Sequence, residues 1–271
     1  MAECVIRRAA AADRPALQTL WEAVFGDPTE WIQAFFTHFP PETSGWVVGR
    51  GTEICSAAYL LTGNRLICGG QSRPCAYVYA VATPKAQRGH GYASLLMRHF
   101  AQMAGEDGFA LYTRPAEPGL YAWYRAVMDA SEIGTGCEIT IQRGLQNVAA
   151  VPIRSVSPAE YGQLRESCLA AVPHVALSEA FLSLQAEYSA LVKLGDGCAA
   201  AEIEGGTLQV KELLVPETQL KDAAQALLRH FDLDAAVVRR QGAHHTSQPL
   251  AAFRPLAPAP GSPVNWGLFL D

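Results

Sequence analysis

Val78-Tyr79-Ala80-Val81-Ala82-Thr83-Pro84-Lys85-Ala86-Gln87-Arg88-Gly89-His90-Gly91-Tyr92-Ala93 is the stretch on which the reading of this chain turns. Its first six residues are apolar, small or β-branched and read as a strand. Pro84 stops that strand, and Ser94, Leu95, Leu96, Met97, Phe100 and Met103 begin an amphipathic helix. Backbone N–H groups in the first turn of a helix have no internal partner, and the helix dipole adds partial positive charge there. Gly89 and Gly91 let that backbone approach an anion closely. Strand, short glycine loop and helix together describe a pyrophosphate site.

Two familiar phosphate loops do not fit. A P-loop needs Gly-Lys-Ser/Thr after its last glycine, and a dinucleotide fold needs a third glycine where this chain has Tyr92-Ala93-Ser94. The segment instead resembles motif A of the GNAT superfamily of N-acyltransferases, Q/R-x-x-G-x-G/A. It stands here as Arg88-Gly89-His90-Gly91-Tyr92-Ala93, with Arg88, Gly91 and Ala93 on the defining positions. The Val81-Ala82-Thr83-Pro84 phrase before it is similar to the family's fourth strand. The resemblance extends over the order of elements in residues 1–143 and is sharp over 77–125. It implies acetyl-CoA as co-substrate, with the backbone amides of Arg88, Gly89, His90, Gly91, Tyr92 and Ala93 on the CoA pyrophosphate. It also implies that the fourth strand splays from the fifth, so that free backbone groups at Val81 and Thr83 take the pantetheine arm and thioester.

Acyl transfer to an amine requires a neutral nucleophile, a polarised thioester carbonyl and a proton for the departing thiolate. In the family that proton commonly comes from a tyrosine in the helix after the fifth strand. Gly119-Leu120-Tyr121-Ala122-Trp123-Tyr124-Arg125 occupies that place, and Tyr124 matches the family tyrosine. Tyr121, one turn earlier, is placed to take the same role or to pack against the CoA arm. Ala126-Val127-Met128-Asp129 replaces the family's Gly-Phe ending, which keeps a second reading open, a non-catalytic acyl-CoA-binding regulatory module. Glu22, Asp27 and Glu30 are candidates for the base. The apolar end Gly267-Leu268-Phe269-Leu270-Asp271 adds Asp271, because the chain resembles two-domain Eis-like acetyltransferases that place a C-terminal carboxylate in the active site. With 271 residues, no third, sterol-carrier-like domain of their kind is expected.

Outward from the loop, the pattern predicts a strand over 3–8, a helix capped by Asp13, and a second helix opened by Asp27-Pro28-Thr29-Glu30 with Trp31, Phe35 and Phe36 in the core. Strands follow over 46–50, 54–61 and 75–83, separated by turns at Thr62-Gly63-Asn64 and 68–74. A helix (about 91–105), a strand (109–113), a helix (about 117–128) and a strand (137–142) complete this half. Residues 198–203, 208–215, 217–231 and 235–240 then repeat strand, strand, helix, strand. The expected fold is α+β with a mixed sheet: a GNAT fold in residues 1–145 and a diverged GNAT-like copy in 146–271. The junction of the second half, Val215-Pro216-Glu217-Thr218-Gln219-Leu220-Lys221, has no glycine and an acidic residue, so the copy lacks the pyrophosphate loop. Residues 249–263 read as a Pro/Ala-rich connector.

A net charge of -5 and the absence of any Lys/Arg run argue against nucleic acid. No apolar stretch reaches the ~20 residues of a membrane helix. The N-terminus lacks the basic start and apolar core of a signal peptide, and the seven cysteines are odd in number and scattered, as in a reduced compartment. A cytoplasmic enzyme is expected, acting on a small-molecule or peptide amine, with an oligomer possible. His244-His245 alternate faces on a strand and have no third ligand nearby in sequence, so no metal is expected.

Overall fold

The computed structural model describes residues 4–144, 151–241, 248–254 and 268–270. They gather into two compact units, the first of residues 1–66, 72–132 and 251–259, the second of 67–71, 133–250 and 260–271.

The first unit runs β1 (Cys4–Arg8), α1 (Arg14–Phe25), α2 (Thr29–His38), the short α3 (Pro41–Ser44), β2 (Gly45–Arg50), β3 (Glu53–Cys68), β4 (Gln71–Ala82), α4 (Tyr92–Asp107), β5 (Ala110–Thr113) and α5 (Gly119–Met128). The second unit follows with β6 (Ser131–Gln142), β7 (Ile153–Ser155), α6 (Pro158–Leu169), β8 (His174–Ala176), α7 (Glu179–Tyr188), β9 (Ala190–Leu194), β10 (Gly197–Glu204), β11 (Thr207–Leu214), α8 (Leu220–His230) and β12 (Ala235–Gln241). A last strand, β13 (Gln248–Arg254), returns to the first unit.

Strand order in the first unit is β1-β2-β3-β4-β5-β13. The first pairs are antiparallel, β4 and β5 run parallel, and β13 lies antiparallel to β5, with Phe253 opposite Tyr112. Parallel neighbours need a crossover, which α4 supplies. Its buried face, Tyr92, Leu96, Met97, Phe100 and Ala104, recurs at helical spacing and packs on Ala76, Val78 and Leu111. Each large side chain there contributes about 1.5–3 kcal/mol of burial. A separate aromatic cluster holds α1 and α2: the Trp21 ring lies 4.8 Å from Phe35 and 5.3 Å from Tyr59, and Phe35 lies 5.4 Å from Tyr79.

In the second unit the order is β6-β12-β11-β10-β9-β7. Here too the crossover pair, β11 and β12, is parallel and the outer pairs are antiparallel. Its crossover helix α8 buries Ala223, Ala224, Leu227 and Leu228 against Val210, Ala236 and Val238. The mixed-sheet α+β architecture is therefore present twice. β6, which the sequence reading gave to the first half, pairs along its length with β12, from Gly136 opposite Gln241 to Gln142 opposite Ala235.

Several local expectations are corrected. Asp13 does not cap α1: it is itself helical (φ -80°, ψ -16°), whereas a capping side chain needs an extended backbone. Its carboxylate takes Arg7 at 2.6 and 3.0 Å and the Ala10 N–H at 2.7 Å, and the guanidinium holds it below its usual range. Asp27 does not cap α2 either, because it accepts the Trp21 indole N–H at 2.8 Å and Pro28 becomes the cap residue. Thr62-Gly63-Asn64 is no turn. It lies inside β3, where buried Asn64 donates to the Tyr112 hydroxyl at 2.8 Å, and the reversal comes at Gly69-Gly70. Residues 249–254 of the expected connector lie in a strand. Ser157 and Ser178 do cap α6 and α7, accepting from the N–H groups of Glu160 and Phe181.

Candidate active site

β4 and β5 pair only from Cys75–Tyr77 against Ala110–Tyr112. One residue further the ladder gives way to a side chain: the Thr113 hydroxyl donates to the Val78 carbonyl at 2.9 Å. β5 then ends while β4 runs on to Ala82, so the two strands form a fork with Val78 and Thr113 at its apex. Beyond the apex, the backbone of residues 79–83 has no β5 residue beside it.

That free arm is bent. Ala80 has φ +47°, left-handed for an L-residue and worth about 1–2 kcal/mol of strain. Its effect shows in the packing: Ala76 and Val78 lie in the α4-side core and so does Val81, three residues on. Strict alternation would send Val81 to the opposite face, so one extra residue has been taken up between them, as in a bulge, which turns peptide groups out of the ladder. β3 anchors the far end. The buried Ser56 hydroxyl donates to the Ala82 carbonyl at 2.9 Å and accepts from the Thr83 hydroxyl, also at 2.9 Å. The Thr83 carbonyl in turn accepts from Arg88 Nε at 3.3 Å.

The loop then turns into α4 through two left-handed glycines, Gly89 (φ +82°) and Gly91 (φ +78°). A Cβ at either position would meet nothing within 4 Å, so backbone conformation rather than crowding calls for glycine, and the space in front stays open. The first intrahelical bond joins the Leu95 N–H to the Gly91 carbonyl. The N–H groups of Tyr92, Ala93 and Ser94 thus belong to the first turn, which has no carbonyl of its own to offer them. His90 Nδ1 faces the carbonyls of Gln87 and Arg88 at 3.3 and 3.2 Å, which requires a proton on Nδ1 and leaves Nε2 on the outer side of the ring. The Tyr92 ring is buried in the core, so this residue offers the loop its backbone and not its hydroxyl.

α5 reaches both features from adjacent residues. Trp123 Nε1 donates to Ser94 Oγ in the first turn of α4 at 3.2 Å. Burial pushes the Tyr124 phenol, beside Thr113 at the apex of the fork, up to about 12, so it keeps its proton at neutral pH. Tyr121 is half-buried against the same core.

Of the base candidates, Glu22 accepts from Gln18 and Thr29, both at 2.9 Å, and these bonds hold its carboxyl below the usual range. Asp27 is spent on Trp21. Glu30 is exposed in the first turn of α2. Asp271 lies outside the described residues, as does the His244-His245 pair; the preceding Leu268, Phe269 and Leu270 are buried. Ala80 and Ser56 were missed by sequence reasoning. Alternation offered one faint signal, since Val78-Tyr79-Ala80-Val81 cannot place both valines on one face without a slip.

Residues 5–124 match the family model described as an acetyltransferase (GNAT) domain. No curated protein matches the sequence. Solved structures share the fold across both units. A GCN5-related N-acetyltransferase from Kribbella flavida superposes with a TM-score of 0.71 at 18% identity, covering 94% of this chain and 72% of that one. Eis1 from Mycobacterium abscessus gives 0.67 at 15% identity, covering 94% and 74%. A tandem GNAT protein from the clavulanic acid biosynthesis pathway gives 0.56 at 15% identity, covering 95% of this chain and 100% of that one.

Proposed function

We propose that this chain, whose residues 5–124 match an acetyltransferase (GNAT) domain model, is an N-acetyltransferase that moves an acetyl group from acetyl-CoA to a primary amine of a small molecule or peptide. The observation that carries the reading is the fork between β4 and β5 with the Tyr124 hydroxyl at its apex. A fork of this kind leaves unpaired backbone groups in line with a helix N-terminus, which suits a long, polar, phosphorylated arm.

The residues present fit acetyl-CoA, which supplies an activated thioester. Gly89 and Gly91 keep the approach open, and the first-turn amides of α4 hold the pyrophosphate. Val81 and Thr83, on the free arm of β4, present backbone groups to the pantetheine amides. Ala80 turns the arm so that a peptide N–H meets the thioester carbonyl, where negative charge develops. Tyr124 protonates the leaving sulfur. Its burial keeps the phenol neutral throughout the physiological range, as a proton donor requires. The amine attacks after losing its own proton to a carboxylate or a water chain, with Glu22, Asp27, Glu30 and Asp271 as candidates. The second unit, whose junction enters α8 through Val215-Pro216-Glu217 with no glycine, serves as scaffold and not as a second donor site.

Calorimetric titration with acetyl-CoA, CoA, ATP and NAD tests the donor. Micromolar binding of CoA and acetyl-CoA alone is expected, lost in Gly91→Glu, which places a carboxylate where the pyrophosphate sits. Folded protein that ignores CoA would overturn the proposal. Binding without turnover on any amine of a broad panel would favour a non-catalytic acyl-CoA-binding module.

A further inference from the structure

Cys168 and Cys198 are far apart in sequence but meet in the second unit. Cys168 is the penultimate residue of α6 and is exposed, whereas Cys198 sits on β10 and is buried in a core with Tyr161, Leu182, Leu191 and Ala200. Cys168 Sγ lies 3.9 Å from the carbonyl of Leu214, which is the residue directly opposite Cys198 on β11. It also lies 3.8 Å from the carbonyl of Asp196, two residues before Cys198. These contacts, in which the Cys168 thiol donates to the backbone on either side, bracket Cys198.

The chemistry of the two sulfurs is unequal. The neighbouring Cys198 thiol lowers Cys168, while the same neighbour and burial push Cys198 far up. The exposed sulfur is therefore the readier of the two to ionise to the thiolate, the reactive form, and the protected one keeps its proton. None of the other cysteines combines these properties: Cys55 and Cys75 are buried with raised values.

We propose that Cys168 and Cys198 form an oxidisable dithiol, a modification site that takes hydroperoxides and closes to a disulfide between α6 and β10. The Cys168 thiolate attacks the peroxide O–O bond, giving a sulfenic acid and hydroxide. The Cys198 thiol then displaces the sulfenic hydroxyl as water, and an S–S bond forms. Overall, two thiols are oxidised and one peroxide is reduced to two waters. Cys168 lies in the last turn of α6, where the helix end can yield the distance that a bond of about 2.05 Å needs. This site is independent of the donor loop, so its failure would leave the acetyltransferase reading untouched.

Full-length protein is treated with hydrogen peroxide, alkylated, digested without reductant and mapped by mass spectrometry. A cross-linked pair of peptides carrying Cys168 and Cys198 is expected, lighter by two hydrogens and released by reductant. Cys168→Ser, at an exposed position that folding tolerates, removes it. In Cys198→Ala the sulfenic acid has no resolving thiol, and Cys168 is instead trapped by a cyclic diketone. Unlinked Cys168 and Cys198 in the wild type, with oxidation spread over exposed Cys4 at an equal rate, would overturn the proposal. So would Cys168 stopping at the sulfenic acid while Cys198 remains reduced.

Discussion

Tyr124→Phe separates chemistry from binding and from folding. The change removes one hydroxyl beside Thr113, while Thr113 keeps its own bond to Val78, so no buried donor is orphaned. The stability cost at neutral pH is therefore no more than that of a single hydrogen bond, about 0.5–1.5 kcal/mol. Acetyl-CoA affinity, set by the α4 amides and the β4 arm, stays within about twofold. Turnover falls by about 10²–10⁴, the usual contribution of a positioned general acid. Alkaline stability adds an independent check. Folding raises this phenol from the ordinary 10 to about 12, so its contribution is fully present below pH 10 and is lost as pH climbs through 12. Two pKa units correspond to about 2–3 kcal/mol. The variant lacks this term, so it starts slightly less stable than the wild type at pH 8 and becomes the more stable protein near pH 12. Release of free CoA over an amine panel, calorimetric affinity, and urea melts at pH 8 and above 11 provide the readouts. Undiminished turnover would remove Tyr124 from the mechanism. A loss of acetyl-CoA affinity as large as the loss of turnover would make it a binding residue instead.

Two further perturbations probe the fold of each unit. Arg165 is buried with its Nε 3.0 Å from Glu212, whose carboxylate also accepts the Tyr161 hydroxyl at 2.8 Å. Arg165→Met leaves that buried carboxylate with the phenol alone and should cost about 3–5 kcal/mol in a urea melt, whereas adding Glu212→Leu should restore most of it. A single variant as stable as the wild type would refute this account. Truncation to residues 1–145 removes β13, the antiparallel partner of β5. The fragment should be inactive and lack a cooperative melt, and a soluble, fully active fragment would show that β13 is dispensable.

The conformation of the candidate donor loop was legible because everything it needs is local. Two glycines with positive φ, a proline stop and an amphipathic helix lie within sixteen residues, and each is a residue type chosen by backbone conformation. Tyr124 was legible only through resemblance, since nothing in Gly119–Met128 distinguishes a phenol at a fork from one in a core. Ala80 was not legible at all: alanine carries no preference for φ +47°, and the strain is held by neighbours such as Ser56, which grips Ala82 and Thr83 from a different strand. The caps failed for a related reason. Asp13 and Asp27 have the capping composition, but a guanidinium and a buried indole outbid the helix N–H groups, and both partners lie outside the helix being capped.

Strand partners were the least legible part of the fold. Alternation identifies a strand and its two faces but says nothing of which edge it joins. Both β5 and β12 are the far strands of parallel crossover pairs, and each leaves an edge that needs a partner. If each half of the chain closed its own sheet, the strand after α5 would lie beside β5 and the strand after β12 beside β12. The observed pairing is the reverse: β6 joins β12, and β13 joins β5. The first unit therefore takes its closing strand from beyond the sequence that builds the rest of it, whereas β6 directly precedes the strands it joins. β5 carries Thr113, the apex of the fork, and the residue opposite Thr113 is Ala252. The backbone that positions the candidate proton donor is held on one side by β4 and on the other by a strand made about 140 residues later. A candidate donor site encoded within one short segment is thus flanked by backbone from a distant part of the sequence.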